Sequence, residues 1–228
     1  LIIGTSGRYE FRNKGLDIFF DSLKALETSG KLDREVLAYV TVPAANLGAR
    51  HDLQAHLQDR SQPIDASQYR YSTHILENTA WDQIVNAING SVLDRAESKV
   101  KVIFVPTYLN QNDGIFNKSY YELLVGMDLT IYPSYYEPWG YTPLESIAFS
   151  VPTITTTLAG FGVWAVEQEK SNGVVVVKRN DNNAVEAVAS VADAVLRFLA
   201  LSDKEVKEVR NAAFEMSKKA LWENLFTY

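Results

Sequence analysis

Two glutamates eight residues apart, Glu137 and Glu145, stand in the stretch YYEPWGYTPLES at 135–146, among four aromatic residues and two prolines. A carboxylate between stiff aromatic walls suits a polyol, because the acid accepts hydrogen bonds from hydroxyls while the rings exclude water. Glu137, flanked by Pro138, Trp139 and Tyr141, fits that chemistry; the alternative is a surface loop whose aromatics cover a sheet edge. Thr142-Pro143-Leu144-Glu145 predicts a helix start, with Thr142 as N-cap, Pro143 in the first helical position and Glu145 as the return half of a capping box. The N–H groups beside that proline would point toward any anion, so Glu145 reads either as a cap or as a ligand. The two glutamates also allow a glycosidase pair, but such an acid and base ordinarily come from separated strands or loops.

A second stretch, GRYEFRNKG at 7–15, carries Arg8, Arg12 and Lys14 ahead of a helix that starts near Gly15. Free N–H groups and the helix dipole add to side-chain cations there, which makes a natural anion site. The stretch has neither Walker spacing nor a dinucleotide fingerprint, so side chains rather than a glycine cradle would hold a phosphate. The other reading is a solvated basic loop with Glu10 paired to an arginine.

Other chemistry is poorly represented. His51 and His56 lie five apart, off a common helical face, and His74 stands in the same middle region, so no metal-ligand spacing appears. There is no G-x-S-x-G elbow, and a chain without cysteine has no thiol nucleophile, disulfide or thiolate metal site.

The elements that must position these stretches are short apolar runs alternating with amphipathic helical patterns. Strands are predicted at 1–6, 36–42, 100–106, 128–134, 151–157 and 173–179. Helices are predicted at 15–30, 51–60, 72–88, 119–127, 143–150, 184–201 and 203–221. Wholly apolar strands between helices indicate an α/β fold, a Rossmann-like, doubly wound parallel sheet covered on both faces. Ligands of such sheets bind beyond the carboxyl ends of the strands. GRYEFRNKG, YYEPWGYTPLE and LAGFG each follow a predicted strand and would face one crevice.

The 228 residues are read as one domain, with 43–95 as an inserted or variable region within it. Its most polar part, 43–71, is either a solvated excursion or an interaction surface. A net charge of −6 argues against a nucleic-acid partner. No apolar run approaches the ~20 residues that span a bilayer, and absent cysteine suits a cytoplasmic location. Because Leu1 already lies inside an apolar run, an excised domain is expected.

RYEFRNKG, KVIFVP, YPSYYEPWGYTPLES and TTTLAGFG, in that order, resemble the C-terminal, nucleotide-binding half of glycogen synthases of the animal and fungal type, from residue 1 to about residue 177. The aromatic segment is the specific part, since E-x7-E alone is shared by many retaining glycosyltransferases. The resemblance implies a two-domain GT-B enzyme, with catalysis in the cleft between its halves. It implies transfer of glucose from UDP-glucose to the 4-hydroxyl of a glycogen or other α-glucan chain end, with retention, no metal and no cofactor beyond the donor. Carried over, Arg8 and Lys14 neutralise the diphosphate leaving group and Glu137 holds glucose hydroxyls, as the catalytic set. Tyr120 stacks on uracil and Glu145 binds the ribose hydroxyls. Trp139, with the backbone around Gly140, Tyr141 and Thr142, faces the sugar and phosphates.

The chain departs from that family pattern. The N-terminal half with the acceptor surface is absent, so the domain alone is expected to bind nucleotide weakly and transfer no sugar. The family's arginine-rich regulatory helix has as its counterpart only Lys207, Arg210, Lys218 and Lys219, so activation by glucose 6-phosphate is not expected. The middle region is shorter, and homo-oligomerisation is an expectation for the full-length protein only. Two alternatives stay open: a related retaining enzyme using ADP-glucose, and a non-catalytic module that binds a glycan or partner through 43–71.

Overall fold

Apolar runs too short for helices and rich in β-branched residues pair best where both faces are covered. In the computed structural model, which describes residues 1–65, 70–168 and 172–225, they do so. The chain runs β1 (Ile2–Ser6), α1 (Leu16–Thr28), β2 (Val36–Thr41), β3 (Asn46–Ala49), α2 (His51–Gln58), β4 (His74–Leu76), α3 (Gln83–Ile88) and β5 (Val100–Phe104). It continues through α4 (Tyr120–Leu124), β6 (Leu129–Ile131), α5 (Tyr141–Ala148), β7 (Thr153–Thr156), α6 (Gly160–Glu167), β8 (Val174–Val177), α7 (Ala184–Leu199), α8 (Asp203–Lys218) and α9 (Trp222–Leu225). Single 3₁₀ turns occupy Thr79–Trp81 and Val92–Asp94.

Six strands form one parallel sheet in the order β5-β2-β1-β6-β7-β8. Counted along the chain among themselves, they run 3-2-1-4-5-6, the order of the dinucleotide-binding folds. The direction of winding reverses between β1 and β6, so the loops leaving those strands flank a crevice at their carboxyl ends. The Rossmann-like α/β reading therefore holds. Phe19, Phe20 and Leu23 of α1 pack with Val191 and Val195 of α7 on the main sheet core, all nearly inaccessible. Each such side chain contributes about 1.5–3 kcal/mol by leaving water. Ile147, Phe161, Ala213 and Met216 close a second core, where α5 meets α6 and α8. No helix among the described residues is long and apolar enough to cross a membrane.

Three local expectations are overturned. The predicted helix at 72–88 is β4, a 3₁₀ turn and then α3 alone. Its first residues instead extend beside β5, with the Thr73 N–H donating to the Phe104 carbonyl at 2.9 Å. Asp82 starts the real helix by accepting from the Val85 N–H at 2.9 Å. The glycine-containing stretch after β7, where no helix is predicted, enters helix α6 at Gly160. Thr142 is not an N-cap: α5 begins at Tyr141 behind Gly140, whose φ of 115° opens the helix without any side-chain cap. Glu145 is consequently no capping-box partner.

The loops at the switch point meet at Gly15, whose φ is 69°. A Cβ there would drive into the Pro133 carbonyl and come within 2.9 Å of the Arg179 guanidinium. Gly30 has a similar φ of 68°, but nothing lies near its absent side chain. Gly15→Ala is therefore expected to cost about 2–4 kcal/mol and Gly30→Ala about 1 kcal/mol, read as shifts of urea unfolding midpoints.

Elsewhere, the buried Arg50 donates to Asp52 at 3.0 Å and to the Ser72 carbonyl at 3.2 Å. This guanidinium holds the Asp52 carboxyl at about 2, below the usual 3.8. A carboxyl depressed on folding stabilises the protein above its unfolded-state pKa and loses that effect as pH falls through its folded value. Asp52→Asn should thus lower stability by about 1.5 kcal/mol at pH 7. The gap from the unmodified protein should close between about pH 4 and pH 2 in thermal melts.

Candidate functional site

The β1 exit loop carries Arg8 and Lys14 to the crevice, and the β6 exit loop carries Glu137. Lys14 and Glu137 form an ion pair with both side chains largely withdrawn from water. Arg8, by contrast, is exposed and pairs with Glu10 at 3.2 Å. A pair so solvated holds its arginine weakly, so Arg8 is available to an incoming anion.

The two loops are stitched together by backbone. The Tyr135 and Tyr136 N–H groups both donate to the Asn13 carbonyl, at 2.8 and 3.2 Å. Arg179, at the end of the strand run through β8, is only 6% exposed and donates to the Pro133 carbonyl. Its guanidinium lies 5.2 Å from the centre of the Tyr135 ring and 3.9 Å from the Asp17 carboxylate. Burial lowers its pKa from the ordinary guanidinium value, partly offset by Asp17. Nothing in the local pattern around Glu137 points to this residue; the available signal is the pair of cations, Lys178 and Arg179, that follows the wholly apolar run VVVV.

Beyond β1 and β6 opens a cavity of about 360 Å³ lined by Ser6, Arg8, Tyr108, Tyr120, Thr142 and Glu145, among others. The Tyr120 hydroxyl meets Ser6 Oγ at 2.8 Å and the Tyr132 hydroxyl at 3.2 Å. Burial raises the pKa of both tyrosines, Tyr132 most strongly. Tyr120 is therefore a fixed neutral ring whose usable feature is its face. Tyr108, 75% exposed on the same cavity, adds a second aromatic surface that the sequence reading missed. It sits just beyond KVIFVP, past a strand end, which was the usable clue.

Glu145 accepts a hydrogen bond on Oε1 from the Tyr121 hydroxyl at 3.0 Å. The Tyr121 ring is itself stacked on Phe149, with centroids 5.0 Å apart. The carboxylate is oriented by one oxygen and keeps lone pairs for another donor. Hydrogen bonding to Glu145 raises the Tyr121 pKa.

Gly140 aims the start of α5 at the crevice. A Cβ at Gly140 would lie 3.2 Å from Pro143, 3.3 Å from Phe161 and 3.5 Å from Glu137, so glycine allows both the turn and the close packing. The N–H groups of Tyr141 and Thr142 have no protein acceptor among the described residues, a ready arrangement for an anion. The Tyr141 side chain points to solvent, 68% exposed. Trp139 does not line the cavity; its ring packs on Phe161 and Trp164 at centroid distances of 6.2 and 5.9 Å. That packing ties the segment to α6, as do the Gly160 N–H on the Glu137 carbonyl at 3.0 Å and the Phe161 N–H on the Trp139 carbonyl at 2.6 Å.

Arg8, Tyr120, Thr142 and Glu145 thus share one cavity, whereas Lys14, Glu137, Trp139 and Gly140 do not line it. The histidines serve elsewhere: buried His74 contacts Thr73 Oγ1 at 2.8 Å and the Asp113 carbonyl at 2.9 Å. No cluster of acidic or histidine side chains suited to a metal occurs among the described residues.

The sequence model of the glycogen synthase family matches residues 65–228. Glycogen [starch] synthase of Caenorhabditis elegans is 29% identical over 277 aligned positions, covering 97% of this chain and 41% of that protein. Isoform 1 from Saccharomyces cerevisiae is 27% identical, covering 96% and 40%, and the human liver enzyme 26% identical, covering 100% and 40%. The chain therefore spans about two fifths of the length of these relatives. WaaG, a glycosyltransferase involved in lipopolysaccharide biosynthesis, aligns over 95% of this chain and 42% of its own at 13% identity and a TM-score of 0.49, too low a likeness to bear on fold or function. With the family's sequence model matching from residue 65 to the last residue, the chain belongs to the glycogen synthase family.

Proposed function

We propose that this chain is the donor-binding half of a two-domain GT-B glycogen synthase that transfers glucose from UDP-glucose to the 4-hydroxyl of an α-glucan chain end, with retention. What carries the reading is that, in a member of this family, Arg8, Tyr108, Tyr120, Thr142 and Glu145 line one cavity, and the same two exit loops bring Lys14 and Glu137 together as an ion pair. In the reaction the bond from the anomeric carbon to the diphosphate oxygen breaks, and a bond forms from the acceptor oxygen to that carbon. UDP departs with the electron pair, and the hydroxyl proton passes to the departing phosphate.

Each residue then has a role that its surroundings suit. Arg8 leaves Glu10 for the diphosphate, and Lys14 supplies a second cation where charge develops. The Tyr141 and Thr142 N–H groups add fixed dipoles, which act strongly because they need not reorganise. Glu137, already held by Lys14, accepts glucose hydroxyls, and Glu145 accepts ribose hydroxyls on its remaining lone pairs. Tyr120 presents its ring to the base, and Tyr108 lines the same cavity. Trp139 acts by stiffening the segment. The N-terminal half carries the acceptor surface, the assembled enzyme works in the cytoplasm, and neither metal nor cofactor takes part.

Calorimetric titration with UDP and, separately, ADP tests this reading. Saturable binding with UDP preferred over ADP is expected. Arg8→Ala and Lys14→Ala should each weaken UDP binding about tenfold or more, the loss of a charge-assisted hydrogen bond. Preference for ADP would assign a different donor. Nucleotide affinity unchanged in both variants would overturn the role given to the crevice.

A further inference from the structure

Glu145 lines the donor cavity, but the residue that holds it does not. Tyr121, the second residue of α4, directly follows Tyr120, whose ring is part of the cavity wall. Glu145 and Phe149 stand four residues apart, which puts both on one face of α5 as that helix ends. Tyr121 lies along this face. Its ring stacks on Phe149 at 5.0 Å between centroids with 19° between planes, and its hydroxyl donates to Glu145 Oε1 at 3.0 Å.

Both sides of this brace are anchored. Ser119 and Glu122 form a capping box at the start of α4, and Glu122 also takes a hydrogen bond from Gln111 at 3.2 Å and pairs with Lys118 at 3.3 Å. On α5 the Phe149 N–H donates to the Glu145 carbonyl at 3.1 Å.

A glutamate side chain has several rotatable bonds, and one on a cavity wall must give up that freedom to hold a ligand. The Tyr121 hydroxyl removes much of it beforehand, and it does so as a neutral donor. Hydrogen bonding to the carboxylate raises the phenol pKa, which keeps the proton on Tyr121. Glu137 is held differently, by a lysine that partly cancels its charge. Glu145 keeps its charge, one lone pair on Oε1 and both on Oε2. Two acceptor oxygens at a fixed angle match a vicinal pair of hydroxyls. Ribose carries such a pair, and 2′-deoxyribose does not.

We infer that Tyr121 is a positioning residue, braced on Phe149, that holds Glu145 so that the donor site selects a ribonucleotide over its 2′-deoxy counterpart. The inference rests on the proposed function for the place of the ribose at Glu145. A site arranged to bond both hydroxyls rejects an analogue lacking one, because an acceptor is then left without its donor. A carboxylate free to swing turns to the remaining hydroxyl or to water and discriminates less.

The test is the preference for UDP over 2′-deoxy-UDP, measured by calorimetry on the 228-residue chain and on Tyr121→Phe, Glu145→Gln and the double variant. The unmodified chain should prefer UDP about tenfold. Tyr121→Phe keeps the ring on Phe149 and loses only the hydroxyl. It should lower the preference to about threefold, through weaker UDP binding with 2′-deoxy-UDP affinity unchanged. A general disturbance of the cavity would weaken both nucleotides alike. Glu145→Gln should lower the preference similarly, and adding Tyr121→Phe to it should change nothing further, because the hydroxyl acts through that carboxylate. Phe149→Ala keeps the hydroxyl but removes its brace. It should lower the preference about twofold, and it supplies the comparison if circular dichroism shows Tyr121→Phe to be misfolded.

A preference unchanged in Tyr121→Phe or, where that variant is misfolded, in Phe149→Ala would overturn the inference. So would equal losses for both nucleotides, additive losses in the double variant, or an unmodified chain that binds the two nucleotides equally. Each of these leaves UDP binding, and with it the donor reading, standing. If ADP binds in place of UDP, the donor base is reassigned, and the same ratio read with ADP and 2′-deoxy-ADP decides the role of Tyr121. Binding of no nucleotide would remove the donor reading and this inference together.

Discussion

The site depends on one close approach, that of the β1 exit loop to the β6 exit loop across the point where the sheet reverses its winding. Gly15 lets backbone pass against the Pro133 carbonyl where any side chain would collide. The same carbonyl takes a hydrogen bond from the buried guanidinium of Arg179, and the Asn13 carbonyl takes two from the other loop. A parallel sheet brings these loops near each other but does not fix their separation. The glycine and the arginine fix it, and Lys14 and Glu137 can then face each other as a pair.

That arrangement resolves a tension at the crevice. In the proposed donor site a cationic place for a diphosphate and a carboxylate for sugar hydroxyls lie side by side, and each tends to neutralise the other. Pairing Lys14 with Glu137 out of water gives both charges a partner before any ligand arrives, which avoids leaving either buried alone. The exposed Arg8 keeps a looser partner and so retains freedom to move. Around them the polar groups are oriented rather than free: Tyr121 aims Glu145, and Ser6 and Tyr132 fix Tyr120. The crevice is thus largely preorganised, which is what electrostatic stabilisation of a leaving diphosphate requires.

The six-stranded sheet was legible because its strands are short runs rich in β-branched and apolar residues, and each loop that matters follows one directly. The residues gathered at the crevice were legible for the same reason, since chemistry in this fold collects at strand ends. Three things were not. Helix α6 contains Gly160 and Gly162, poor helix formers, yet a Cβ at either would strike the backbone of Pro138 or Thr156, so packing overrides propensity. The start of α5 was misplaced because T-P-L-E satisfies a capping box on paper, whereas the positive φ at Gly140 moves the helix start ahead of Thr142. Arg179 escaped notice because its partners, Asp17, Pro133 and Tyr135, are remote from it in sequence and meet it only through the strand order.

The most direct test of the account is amide hydrogen exchange with and without saturating UDP-glucose. If the two exit loops and the start of α5 together form the donor site, the Tyr141 and Thr142 amides and those of residues 7–15 should gain protection together. Protection confined to regions outside these segments, or saturable binding that leaves the Tyr141 and Thr142 amides exchanging as before, would contradict it.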